Sequence, residues 1–226
     1  MAGCIYCIDN DILKKLATFN LFDETVSLFE ASAEQINILA TAQYKFQGDW
    51  KKVKAGKARQ AEANAINYEK TIELATTLPQ IAQADVDPDL FIQISQFQGI
   101  DQGEAILTVH IAEILQKDEA FQAFVFTGDK NYLRALAAVR LPTFQEILNH
   151  RFWCLEQLIL RDIQAYGFEA VRDKVVPVRE CDKAIKAVFG SGALSTEPNA
   201  VDALTSYIET LRQETGDLLH PHPHGD

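Results

Sequence analysis

Three acidic residues stand where a parallel sheet would gather them. The run CIYCI leads into Asp9, the run AFVFTG leads into Asp129, and Glu104 follows Gly103 in the stretch between. Open α/β sheets bind their ligands beyond the carboxyl ends of the strands, so residues that terminate strands are the first candidates for chemistry. Three carboxylates at one edge repel one another, and a hard divalent cation, Mg2+ or Mn2+, is the usual relief. Such a cation can make a nucleophile of a bound water. Each acid also has a second use. Asp9 and Asp129 stand where helix N-caps belong, and Asp101 with Glu104 forms an acidic capping box. Asp11 can complete the cluster or serve the first turn of its helix.

The elements that must position these acids are readable in outline. Cys4 to Ile8, Ile36 to Ala40 and Ala123 to Thr127 are short apolar runs suited to buried parallel strands, with a fourth near Val139 to Leu141. Between them run helical stripes, from Ile12 to about Phe29, from Asp87-Pro88 to about Phe97, from Asp101 to Lys117 and from Tyr132 to Val139. The expected fold is α/β, a doubly wound, mainly parallel sheet over residues 1–142, with a helical arm inserted at about 45–77. From Thr143, which with Glu146 fits a capping box, the chain reads as an all-helical extension over 143–216. Its broad apolar face, Phe152 to Ile163, packs on the sheet or meets a second copy of the chain. Residues 217–226, with His220, His222 and His224 alternating with prolines, read as a flexible tail.

Composition narrows the partners. The chain has 226 residues and a formal net charge of -11, from 32 acidic and 21 basic residues, which argues against broad electrostatic wrapping of nucleic acid. Six of those basic residues, Lys45, Lys51, Lys52, Lys54, Lys57 and Arg59, fall within fifteen positions beside Tyr44, Phe46 and Trp50. A basic arm with aromatics can follow a single-stranded RNA backbone and stack a base, or it can be a solvated helix face. No apolar run is long enough to span a bilayer, and the N-terminus lacks the pattern of a secretion signal, so the expectation is a soluble, cytoplasmic protein with no membrane partner. Cys4 and Cys7 match C-x-x-C, but on a strand their side chains leave opposite faces, so they read as core thiols rather than a zinc site. His110, on an apolar helix stripe, reads as a packed histidine.

The segments IDNDILKKL, IDQGEAIL and VFTGDKNYL resemble, in order and separation, the three acidic signatures of PIN-like domains, over about residues 4 to 141. That family comprises metal-dependent nucleases, including toxin-antitoxin ribonucleases. The resemblance implies that Asp9, Glu104 and Asp129 are catalytic metal ligands for Mg2+ or Mn2+, with Thr127 supporting the site, an RNA substrate and an inhibitory protein partner. Two positions depart from the pattern. Ala42-Gln43-Tyr44-Lys45 stands where the family places another acid, and Asn131 where a further aspartate is common. Asn131 can still hold a metal-bound water, and Lys45 can reach a substrate phosphate. These departures also suit a non-catalytic PIN-like scaffold that binds RNA or protein. Asp9-Asn10-Asp11 with Gly128-Asp129 is similar to haloacid-dehalogenase-like phosphatases as well, though Leu13 and the Gly-Glu-Ala helix fit that family poorly.

Overall fold

The computed structural model describes residues 3–57, 65–118, 120–139 and 141–224. Five strands, β1 (Cys4–Ile8), β2 (Ile36–Leu39), β3 (Gln80–Ile81), β4 (Gln122–Thr127) and β5 (Phe152–Cys154), form one sheet in the order β3-β2-β1-β4-β5. Every adjacent pair is parallel. The three middle strands are built almost wholly of apolar residues, because helices cover a parallel sheet and leave little room for polar side chains. The chain steps outward from β1 to β2 and β3, then returns to lay β4 on the other side of β1 and β5 beyond it. The reversal between β1 and β4 opens a crevice at their carboxyl ends, where doubly wound folds bind ligands.

Each strand hands over to helix. After β1 come α1 (Asn10–Phe19) and α2 (Phe22–Ser27), and after β2 come α3 (Ala42–Lys54) and α4 (Tyr68–Thr77). After β3 come α5 (Pro88–Ser95), with Asp87 as its cap and proline in its first turn, and α6 (Gln102–Lys117). α6 packs on β4 and β2. It starts close to the sheet because Gly103 has no side chain: a Cβ there would come within 2.6 Å of Leu39 Cδ1. After β4 follow α7 (Lys130–Ala137) and α8 (Pro142–Leu148), so α8 begins one residue before Thr143 and its N-cap position is Leu141.

The region after residue 142 departs from its expected form. Phe152 and Trp153 do not belong to a helix; with Cys154 they form β5, level with Val125, Phe126 and Thr127 of β4. Only then does helix resume, as α9 (Leu155–Tyr166), α10 (Phe168–Val175), α11 (Lys183–Val188) and α12 (Glu197–Thr215). This segment therefore completes the sheet rather than standing apart as an all-helical extension. A three-residue strand is too short to show a period of two, and it merges with the apolar stripe of α9. That stripe is buried within the chain, with Leu158 and Ile159 fully enclosed, so it is not available to a second copy.

The tail is docked. Leu219 bridges to Phe152, His220 N donates to Phe152 O at 2.8 Å, and Gln157 Nε2 donates to the carbonyls of His220 and His222. The His220 ring stacks on Trp153 with centroids 4.1 Å apart. These contacts occupy the outer edge of β5, so residues 219–222 are docked on the sheet rather than part of the flexible tail expected over 217–226, whose last two residues lie outside the described ones. Two smaller expectations change as well. Val139 and Leu141 lie in no strand, with residue 140 outside the described residues, and β3 follows Pro79 where no strand was expected. Among the described residues no helix is long and apolar enough to cross a membrane.

Candidate acidic site at the sheet crevice

Asp9 leaves the sheet at the crevice. Its backbone N donates to Phe126 O at 3.0 Å, so the side chain emerges level with the end of β4. Asp9 occupies the N-cap position of α1, yet its carboxylate makes no capping bond. It accepts instead from the hydroxyl of Thr127, at 3.3 Å, and Thr127 Oγ1 in turn accepts from Asp129 N at 3.2 Å. Thr127 is wholly buried and ties the ends of β1 and β4 together. Burial, reinforced by the charge of Asp11, pushes the Asp9 carboxyl up to about 6, although Asn10 N–H and the Lys45 ammonium pull the other way. Asn10 is buried too, and its Oδ1 has no hydrogen-bond partner.

Glu104 and Asp129 both serve as helix-capping groups. Asp101 Oδ1 accepts from Glu104 N at 2.8 Å and Glu104 Oε2 accepts from Asp101 N at 2.7 Å, a reciprocal capping box. Glu104 is nevertheless buried, and burial together with the negative charges of Asp101, Asp9 and Asp129 drives its carboxyl up to about 8. Asp129 is exposed and caps α7, with Oδ1 accepting from Asn131 N and Tyr132 N. Beneath this edge the fully buried Tyr132 hydroxyl meets Thr108 Oγ1, which locks α7 against α6.

The crevice thus holds two buried carboxyls, each within electrostatic reach of further acids. Among the described residues neither Asp9 nor Glu104 is ion-paired. Carboxyl oxygens without a counter-ion are the donors that Mg2+ and Mn2+ select, and a bound cation would favour their ionised form. In this conformation, however, no three Asp, Glu, His or Cys side chains among the described residues are gathered as a ready-made ligand set. Glu104 would have to leave Asp101 N–H to join one.

The other expected site residues are distributed around this edge. Asp11 faces its own helix, paired with Lys14 at 3.4 Å and with Lys15. Asn131 is exposed, and its Oδ1 accepts from Arg134 at 3.2 Å. Lys45 is exposed in the first turn of α3, close enough for its charge to act on Asp9. Lys51, Lys52, Lys54 and Lys57 are exposed along and just after the same helix, while Arg59 lies outside the described residues. The aromatics of this arm are mostly committed: Phe46 is buried, and Trp50 stacks on Tyr68 beneath the Lys54 ammonium. Tyr44 remains 67% exposed. Cys4, Cys7, Cys154 and Cys181 are free thiols, and burial raises each of them.

A second cluster beside the crevice was not anticipated. Lys15, buried on α1, pairs with Asp11 and, at 2.6 Å, with Asp182 Oδ2 at the cap of α11. Gly128 permits the approach, since a Cβ there would lie 2.5 Å from Asp11 Oδ2 and 3.1 Å from Lys15 Nζ. A cleft of about 510 Å³ opens next to this cluster, between the start of α7 and helices α11 and α12. One signal was available in the sequence: Lys15 lies on the phase of Ile12, Leu16 and Phe19, the buried stripe of its helix. Comparison with protein-family models, with curated proteins and with solved structures gives no match to this chain.

Proposed function

We propose that this chain is a PIN-like, Mg2+- or Mn2+-dependent ribonuclease that hydrolyses RNA phosphodiester bonds. The observation that carries the reading is the pair of buried carboxyls, Asp9 and Glu104, which have no ion pair among the described residues, at the reversal point of a parallel sheet with Asp129 at its rim. In this reading Asp9, Glu104 and Asp129 hold the cation, which supplies Lewis-acid polarisation of the phosphate and an activated water. Thr127 fixes the Asp9 carboxylate through its hydroxyl and keeps Asp129 in register with it. Asn131 orients water at the mouth, and Asp11 adds negative potential from the side. Lys45 meets a substrate phosphate, and Lys51, Lys52, Lys54, Lys57 and Arg59 follow the strand beyond it. A reducing compartment, the cytoplasm, suits the four free thiols. An inhibitory protein partner belongs to the same reading.

The test is direct. The intact chain should bind Mn2+ and cleave single-stranded RNA only in its presence. Asp9→Asn and Asp129→Asn should each lower cleavage by at least about 100-fold, since loss of a ligand exceeds the roughly 10–100-fold cost of an outer-shell change. Absence of Mn2+ binding would remove the nuclease reading. The engagement of Glu104 in its capping box favours a second reading, a PIN-like scaffold that binds RNA or protein without cutting it.

A further inference from the structure

We infer that the cleft between the start of α7 and helices α11 and α12 seats the single-stranded RNA next to the cutting site, with Tyr207 stacking a base and Lys183 contacting a phosphate. The inference rests on the ribonuclease reading and names where its substrate lies. Asp129 stands on one wall of the cleft and Tyr207 and Lys183 on the other, so a strand held at Asp129 continues between them.

Four features support this. The cleft, at about 510 Å³, has the size of a small-ligand site, roughly 300–1,000 Å³, and accepts a nucleotide or two rather than a duplex. Tyr207 is 36% exposed; Lys130 Nζ, paired with the buried Glu156 at 2.6 Å, lies 4.7 Å over one face of its ring, so a base would stack on the opposite face. An aromatic of this kind can stack on any base, which is how sequence-tolerant single-strand binders work. Lys183 is exposed and belongs to no ion pair among the described residues, so its charge is open to a phosphate. Finally, the acids on this wall do not repel a polyanion at full strength, because Lys15 pairs with both Asp11 and Asp182 and Lys14 pairs with Asp11, which offsets part of their charge. A double-stranded substrate keeps its bases stacked on one another and offers none to Tyr207.

Anisotropy of a labelled single-stranded oligoribonucleotide with the full chain in EDTA, paired with Mn2+-dependent cleavage of the same oligonucleotide, tests the inference. Tyr207→Ala should weaken binding roughly tenfold and Tyr207→Phe should retain it, with duplex binding unchanged by either. Lys183→Ala should weaken binding a few-fold and reduce the salt slope by about 0.7. Thermal melting of each variant separates lost binding from lost folding. If Tyr207→Ala and Lys183→Ala bind like the intact chain while a Lys51→Ala, Lys52→Ala, Lys54→Ala variant does not, the cleft assignment is overturned and the ribonuclease reading stands. If Tyr207→Ala loses binding but the intact chain never cleaves with Mn2+, the cleft is supported as an RNA site and the ribonuclease reading fails.

Discussion

Two clusters of buried charge lie on either side of Gly128, and they treat their carboxylates in opposite ways. Around Lys15 the carboxylates of Asp11 and Asp182 close on one ammonium. Burial alone would lower Lys15 and raise Asp182, but their attraction wins, holding Lys15 above its ordinary value and Asp182 below its own. Around Asp9 and Glu104 no ion pair among the described residues opposes burial, and both carboxyls rise. Position in the sheet accounts for the contrast. The first cluster clamps α1 to the cap of α11 and can close on itself, whereas the second sits at the crevice, where acids come from β1, β4 and α6 and the nearest cation, Lys45, is exposed. A cluster that balances its own charge holds the fold together; one that does not is available to a ligand.

Removing the shared cation should break the first cluster outright. Lys15→Met leaves the partly buried Asp182 without its ion-pair partner and Asp11 with Lys14 alone, and should cost about 3 kcal/mol, read as a fall in Tm of roughly 2–4 °C per kcal/mol. Equal melting of the variant and the parent would show that the cluster contributes no clamp. Glu104→Gln should act in the other direction. A carboxyl raised from 4.5 to about 8 contributes most stability below pH 4.5 and loses it as pH rises through 8, so in EDTA the variant should match the parent near pH 4.5 and exceed it by on the order of 2 kcal/mol at pH 9. The amide oxygen can still accept from Asp101 N–H, so the cap survives the change. The finest discrimination uses one chemical change in both places. At pH 7.5 without metal, Asp9→Asn should raise Tm slightly and Asp182→Asn should lower it, each by about 1 kcal/mol, because the lowered Asp182 gives its stability above its ordinary range and the raised Asp9 gives its own below. Shifts of the same sign would erase the distinction.

What the sequence made legible follows from how local each signal is. Asp9, Asp101, Glu104 and Asp129 each mark an element boundary, and boundaries are written in a few adjacent residues. The middle strands and most helices carry enough residues for their period to show. β3 and β5 do not, having two and three residues. The pairing of Lys15 with Asp182 joins residues 167 positions apart (182 − 15), and no local pattern reports it. The tail misled for a related reason: prolines and histidines look unstructured until Trp153 and Gln157 supply a surface for them. The commitment of Trp50 to Tyr68 was equally invisible, since both readings of an aromatic beside lysines begin from the same residues.

The docked tail also bears on how the protein is made. β5 is covered on its outer edge by Leu219 and His220, some 65 residues further along the chain, so during synthesis that edge is complete in sequence long before these residues can shield it. Until those late residues leave the ribosome, an open row of backbone donors and acceptors next to Phe152 and Trp153 is exposed to other nascent chains. Loss of residues 219–224 would therefore show first as a failure of yield in the cell, with aggregation seeded at that edge, rather than as a change in the acidic crevice.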